Sequence, residues 1–315
     1  MVKRETAPEN RTGGRFNERD KHRLKLLLLA LPFVAMVFLF NYLPLFGWSY
    51  AFFDYYPGVP LKESTFVGLK YFKLIFSPMS DFPLAIRNTL VMSALRIITT
   101  PIPIVFAILL TQMRSARFSK FVQIVSSIPN FISWVLVYAI FFAFFSSEDA
   151  VFNQLMLGLG IWDRPHNLLG DSDIAWQMQL FVTIWKFTGW EAIIYISAMT
   201  SIDQDLYAAA DVDGAGRFAK IWHVTVPGIL PTFFVLLLLT VANLLGNGFE
   251  QYYIFQNPLT IDKLEVLDTY VYRMGIISAQ YSFATAMGVF KSVLSIILLL
   301  FANGMSKLLR GEAIV

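Results

Sequence analysis

The sequence contains no cysteine. That absence excludes disulfides, thiolate-bound zinc and thiol catalysis. Histidine is almost as scarce. His22, His166 and His223 all lie outside the apolar runs, and no His/Glu pair stands at metal-binding spacing. Without such a pair, or a nucleophile beside a base, an intramembrane enzyme finds no support. No phosphate loop of the form GxxxxGKS or GxxxxGKT occurs, so the chain carries no ATPase of that kind, and no cofactor or metal is expected within it. Charge is thin as well. Asp, Glu, Lys and Arg make up 15% of the 315 residues and the net charge is +3, too little to argue for a nucleic-acid partner.

Apolar residues are in excess. They form 56% of the chain, with thirty Phe and seven Trp. A soluble domain reaches about 45–50% only when glycine is counted, so an integral membrane protein is expected. Six apolar runs, near 24–46, 84–111, 118–145, 175–199, 229–249 and 283–306, are each long enough to cross about 30 Å of hydrocarbon. The expected fold class is an all-α integral membrane protein with six transmembrane helices, residues 24–315. Residues 1–23 form a charged cytosolic tail, expected to be disordered. No cleavable signal is expected, because the first apolar run lies behind this tail and is too long for a signal core. No internal repeat is visible, which leaves an inverted-repeat secondary transporter without support.

Basic residues set the orientation. The tail carries seven, Arg114, Arg117 and Lys120 crowd the link between spans two and three, Arg217 and Lys220 lie between spans four and five, and Lys307 and Arg310 follow span six. The positive-inside rule then puts both termini in the cytosol of a multi-pass protein. The outward loops are longer. Residues 47–83 are rich in Tyr, Phe, Gly and Pro, which suit a membrane–water interface. Leu264 to Ile277 reads as an amphipathic helix.

Polar residues inside the spans invite two readings each. Pro101, Pro103 and Pro129 remove helical hydrogen bonds and kink their spans, either for packing or to shape a pathway. Arg96, Lys186, Glu191 and Lys291 lie within spans, where a charge costs roughly 2.5–3.5 kcal/mol and so faces protein or water. Lys186 and Glu191 are about 140° apart around a helix, so each is expected to find its partner on another span or to line the pathway. Trp185, Trp190 and Tyr195 are candidates for stacking on sugar rings, or are packing and lipid-belt aromatics. Asn243 and Asn247 share a helical face and, with Glu250, are candidates for holding hydroxyls, or are helix–helix glue.

Residues 203–231, DQDLYAAADVDGAGRFAKIWHVTVPGILP, form a polar, Ala-rich segment between two long apolar runs. Leu206 to Val212 reads as a short helix capped by Asp203 or Asp205. Gly214 and Gly216 supply a break. Arg217 to Val224 is amphipathic, and Pro227 and Pro231 mark entry into the next span. A helix–glycine–helix on a membrane face is either a docking device or a loop lying on lipid headgroups.

The pattern is more specific than that. It resembles the "EAA" loop of bacterial ABC import permeases, with Ala209–Ala210, Asp213–Gly214–Ala215 and Val224–Thr225–Val226–Pro227 matching its three parts. Ala208 stands where that family has its glutamate. Further stretches resemble the polysaccharide and oligosaccharide subfamily of carbohydrate importers. They include Arg87–Asn88–Thr89–Leu90, Pro129–Asn130–Phe131–Ile132–Ser133–Trp134, Trp185–Lys186 with Gly189–Trp190, Asp268 to Arg273, and Phe290–Lys291–Ser292. This likeness covers nearly everything after residue 24.

The resemblance implies the six-helix, maltose-type architecture of a type I importer permease in the bacterial inner membrane. It implies that Leu206, Tyr207, Ala208, Ala209, Ala210, Asp213, Gly214, Ala215 and Phe218 form a coupling helix seated in an ATPase subunit. A second homologous permease, two cytosolic ATPases holding ATP and Mg, an extracytoplasmic solute-binding protein and a neutral or acidic saccharide complete the assembly. Transport would run by alternating access. An ABC permease for a non-sugar solute is the alternative, with an ATP-independent secondary transporter behind it.

Overall fold

The computed structural model describes residues 18–310 apart from residues 79, 147–148 and 247. Most of the expected tail, residues 1–17, and Asn247 therefore lie outside the described residues. The contacts divide the chain into two units, residues 1–50 and 51–315.

In the first unit α1 (Glu18–Val37) opens the first span, so residues 18–23 are helical where disorder is expected. A π turn over Phe38–Tyr42 and a 3-10 stretch from Leu43 extend it. The Asn41 amide donates to the Val37 carbonyl at 3.2 Å, satisfying a polar side chain within its own helix. The span is apolar all round, which fits a lipid environment.

In the second unit a two-residue antiparallel ladder, β1 (Phe53–Asp54) on β2 (Thr65–Phe66), is the one departure from an all-α chain among the described residues. Then come α2 (Lys70–Ile75), α3 (Phe82–Thr99), α4 (Ile102–Thr111), α5 (Ala116–Phe131), α6 (Trp134–Phe145), α7 (Val151–Gly158) and α8 (Ala175–Thr200). They are followed by α9 (Gln204–Val212), α10 (Arg217–Lys220), α11 (Val226–Ala242), α12 (Phe249–Phe255), α13 (Ile261–Leu264), α14 (Leu267–Tyr272) and α15 (Tyr281–Arg310).

Four helical stretches are long and apolar enough to cross a membrane: His22–Phe52, Phe82–Thr111, Arg217–Ala242 and Tyr281–Gly304. The α5–α6 pair makes a fifth if taken as one broken span. The fourth expected span, α8, has the length but is not among them, because Lys186, Glu191 and other polar residues hold down its hydropathy. It is nevertheless a centre of packing. Val182 joins Val137, Phe141 and Phe255 in one buried cluster, while Ala192, Tyr195 and Met199 join Ala107 and Ile229 in another. A third cluster brings Ile75, Ala85, Tyr270, Phe283 and Met287 together from α2, α3, α14 and α15.

Two expectations need correction. The third span is not a single kinked helix: α5 and α6 meet at 106°. Pro129 removes an amide, and Ile132 and Ser133 are extended, with the Ser133 hydroxyl accepting from the Leu136 amide to start α6. The fifth span ends at Ala242, well before residue 249. Asn243 caps it, and Gly248 at φ +90 precedes a fresh helix. Asn243 therefore stands at the end of α11 rather than on a continuing helical face.

Candidate functional site: a docking arm and a charged cavity

The docking segment folds as its residue types dictate. The Asp203 carboxylate accepts from the Asp205 amide at 3.0 Å and caps α9. At the other end the Ala215 amide reaches back to the Ala210 carbonyl at 2.8 Å, and the Gly214 amide to that of Asp211 at 3.1 Å. This double closure needs a left-handed residue, and Gly214 supplies it at φ +75. Gly216, at φ −68, does not share that role. Lys220 pairs with Asp211 at 2.6 Å and ties α10 to α9. The Tyr207 hydroxyl meets that of Thr225 at 2.9 Å, and Arg217 donates to the Gln112 carbonyl at 2.6 Å, linking the arm to the end of α4.

The arm is continuous with a span. α10, a π turn over Ile221–Thr225 and α11 form one helix from Arg217 to Ala242. The wider π turn precedes Pro227, whose ring cannot follow an ordinary helical turn. Lys220 and Arg217 are thus tied down, while several apolar groups face out. Val212 and Phe218 are each 89% exposed and Trp222 69%, with Leu206, Ala208 and Ala209 also exposed. Large apolar side chains presented this way fit a partner surface better than water.

A second feature is a cavity of about 310 Å³ between α3–α4, α8 and α11. Its wall mixes hydroxyls (Ser93, Thr99, Thr183, Thr240), the aromatic Phe187 and apolar leucines. Arg96 on α3 faces Glu191 on α8 across it at 3.8 Å. Tyr195 and Asn243 also line it. Three of the candidate pathway residues, Glu191, Tyr195 and Asn243, therefore come together. Thr183, Phe187 and Thr240 carry no sequence signal and are legible only in the fold.

The other candidates stand apart from the cavity. Lys186 is buried, and its ammonium donates to the carbonyls of Pro129, Asn130 and Ile132 while lying 5.0 Å from the Trp134 ring. It is the clamp of the α5–α6 break. Trp185 packs edge-on against Phe141 at 5.5 Å, and Trp190, exposed, against Phe131 at 5.4 Å. Glu250 is exposed at the start of α12. Lys291 pairs with Asp268, which answers the question of its partner.

Two of the subfamily-like stretches meet at the α5–α6 break against α8. A third is anchored just before α14: the Asn88 amide donates to the carbonyls of Asp262 and Glu265, both at 3.0 Å, and the Thr89 hydroxyl accepts from the Leu267 amide at 2.9 Å.

A model of the binding-protein-dependent transport system inner membrane component matches residues 100–311. Protein LplB of Bacillus subtilis (strain 168) is 40% identical over 291 residues, covering 92% of this chain and 90% of the relative. The polygalacturonan/rhamnogalacturonan transport system permease protein YteP of the same organism is 39% identical, covering 92% and 89%. Among solved structures, a bacterial ABC transporter involved in the import of the acidic polysaccharide alginate superposes with a TM-score of 0.85 at 32% identity, over 93% of this chain and 98% of the other. The same TM-score of 0.85 is found with a bacterial alginate ABC transporter in complex with alginate pentasaccharide-bound periplasmic protein.

Proposed function

The chain belongs to the binding-protein-dependent transport system inner membrane components, and from that premise we propose that it is the permease subunit of an ATP-driven ABC importer carrying an acidic oligosaccharide or polysaccharide into the cell. The observation that carries the reading is the docking arm. A short helix closed by Gly214 presents Val212, Phe218 and Trp222 outward, and its second half is one helix with a membrane span. A push on such an arm is delivered to the span without a flexible joint.

The arm is read as facing the cytosol, with both termini on the same side. Leu206 to Ala210, Asp213 to Ala215 and Phe218 form the surface for one of two ATPase subunits, which would hold the ATP and Mg. Ala208 leaves that contact without the family's carboxylate, so the exposed apolar side chains carry it. A second, homologous permease completes the membrane part, and an extracytoplasmic binding protein delivers the sugar. ATPase closure would move both arms and rock the spans between outward- and inward-open states.

The test is reconstitution. The chain is co-expressed with its genomic neighbours, purified as a complex and placed in lipid. ATP hydrolysis is then measured with and without the binding protein and a panel of neutral and acidic oligosaccharides. The expected result is a complex stimulated by binding protein loaded with an acidic oligosaccharide. A chain that recruits no ATPase would overturn the importer reading, and stimulation by neutral sugars alone would overturn the acidic one.

A further inference from the structure

Arg96 and Glu191 form the longest ion pair among the described residues, with Lys70–Asp54, outside the apolar runs, next at 3.6 Å. Arg273–Asp81, Arg273–Glu265 and Lys220–Asp211 close at 2.8, 2.5 and 2.6 Å. Arg96–Glu191 stands at 3.8 Å, beyond the about 2.7–2.9 Å of a charge-assisted hydrogen bond. No hydrogen bond satisfies the Arg96 guanidinium among the described residues. Its further contact is the face of Phe187, 5.7 Å from the ring centre. Glu191 likewise accepts no hydrogen bond among the described residues. The two side chains remain 45% and 38% exposed, facing a cavity inside the membrane-spanning region.

A guanidinium offers five donors in a planar fork that matches a carboxylate. Keeping it within a span is costly unless it acts on something. Here the fork is loosely held by one carboxylate and left open to a space lined by Thr183, Thr240 and other hydroxyls. At about 310 Å³ the cavity is at the small end of ligand sites, with room for a short part of a sugar chain. Resting on the saccharide-import reading, we infer that Arg96 binds a sugar carboxylate passing through this cavity, and that Glu191 is the anion it displaces. A uronate exchanges with Glu191 as the fork's partner, while the hydroxyl-bearing wall meets the rest of the ring. Glu191 keeps Arg96 neutralised between substrates and weakens the site enough for the sugar to leave.

The two residues therefore act with opposite signs on an acidic substrate. A merely structural ion pair would make loss of either partner harmful. The experiment uses the reconstituted complex with its binding protein, in proteoliposomes. The probes are tri-galacturonate and its methyl ester, and KM for import is measured for wild type, R96Q and E191Q. Arg96→Gln is expected to raise the KM for the acid at least tenfold. Glu191→Gln is expected to lower it severalfold, because the competing anion is gone. A rise, or no change, in E191Q overturns the inference even where R96Q does not accumulate in the membrane. Wild-type import of the ester but not of the acid overturns it while leaving the importer intact. Wild type that moves neither probe nor any other saccharide removes the importer reading beneath it.

Discussion

The ammonium of Lys186 stands 2.9 Å from the carbonyl oxygen of Pro129. It also reaches Asn130 and Ile132, so one side chain of α8 closes the open end of α5 where the third span turns through 106°. Helix ends leave carbonyls without partners, and in a membrane no water is at hand to take them. Lys186→Met keeps the length and removes the donors. Each buried carbonyl left unsatisfied costs about 1–3 kcal/mol, and the contact with the Trp134 ring is lost as well. The expected outcome is a clear drop in the thermal midpoint of the purified protein, with lower accumulation in the membrane. A K186M variant as heat-stable as wild type would remove the clamp from the account.

Gly189 tests the same junction sterically. A Cβ there would lie 2.2 Å from the Ser126 carbonyl oxygen, backbone that cannot step aside without parting α5 from α8. Gly189→Ala is expected to cost more stability than K186M. Gly288, inside α15, has nothing within 4 Å of such a Cβ. There Ala is expected to be neutral or to gain up to about 1 kcal/mol from helix propensity. Thermal midpoints of the two variants, measured side by side, separate close approach from a general intolerance of change in the spans.

How much of this was legible in the sequence depends on whether the signal is local. The Asp203 cap, the α9 helix and the Gly214 turn follow from neighbouring residues and were readable. The helix over Leu264 to Ile277 was readable only in part, because Val266 starts a new segment with its amide bonded to the Thr269 hydroxyl. The polar α8 was readable as one long helix, although its hydropathy falls short of the other candidate spans. The break after Phe131 was hidden, because Pro129 alone predicts a kink and its partner Lys186 lies 57 residues away. The cavity was half legible: Glu191, Tyr195 and Asn243 stand out as polar residues in apolar runs, but Thr183 and Thr240 look like any helical threonine. Lys186 and Trp185 stood out for the same reason and belong to packing instead.

Glu265 and Asp81 share one arginine and are expected to differ sharply in importance. Glu265, only 2% exposed, takes Arg273 by two parallel bonds, Nε to Oε1 at 2.5 Å and Nη2 to Oε2 at 2.8 Å. Asp81 is 59% exposed. The Glu265 carboxylate, before Asp81, pushes the Arg273 pKa still higher, so the cation is permanent. Glu265→Gln leaves that charge half-buried without its main partner, at an expected cost of about 3–5 kcal/mol. Asp81→Asn removes a screened surface contact worth at most about 1 kcal/mol. Chemical denaturation of the two variants in detergent should rank them in this order, and equal midpoints would contradict the assignment.

Gly214 and Gly216 look alike in the sequence and are expected to behave differently. Neither has an atom within 4 Å of an added Cβ, so no clash distinguishes them. Gly214 sits at φ +75 and Gly216 at φ −68. An alanine at Gly214 pays about 1–2 kcal/mol to hold the left-handed turn, and the alternative is to open the closure between Ala215 and Ala210. That strain falls on an exposed arm rather than on the packed spans, so G214A should accumulate and melt much as wild type does. Its defect is expected where the arm meets the ATPase: sugar imported per ATP hydrolysed falls severalfold, while G216A stays near wild type. Measuring both quantities in the same proteoliposomes decides the matter. Coupling lost equally in the two variants would mean that the arm needs flexible glycines rather than one left-handed turn. Coupling retained in both would mean that the geometry of the arm does not transmit the stroke.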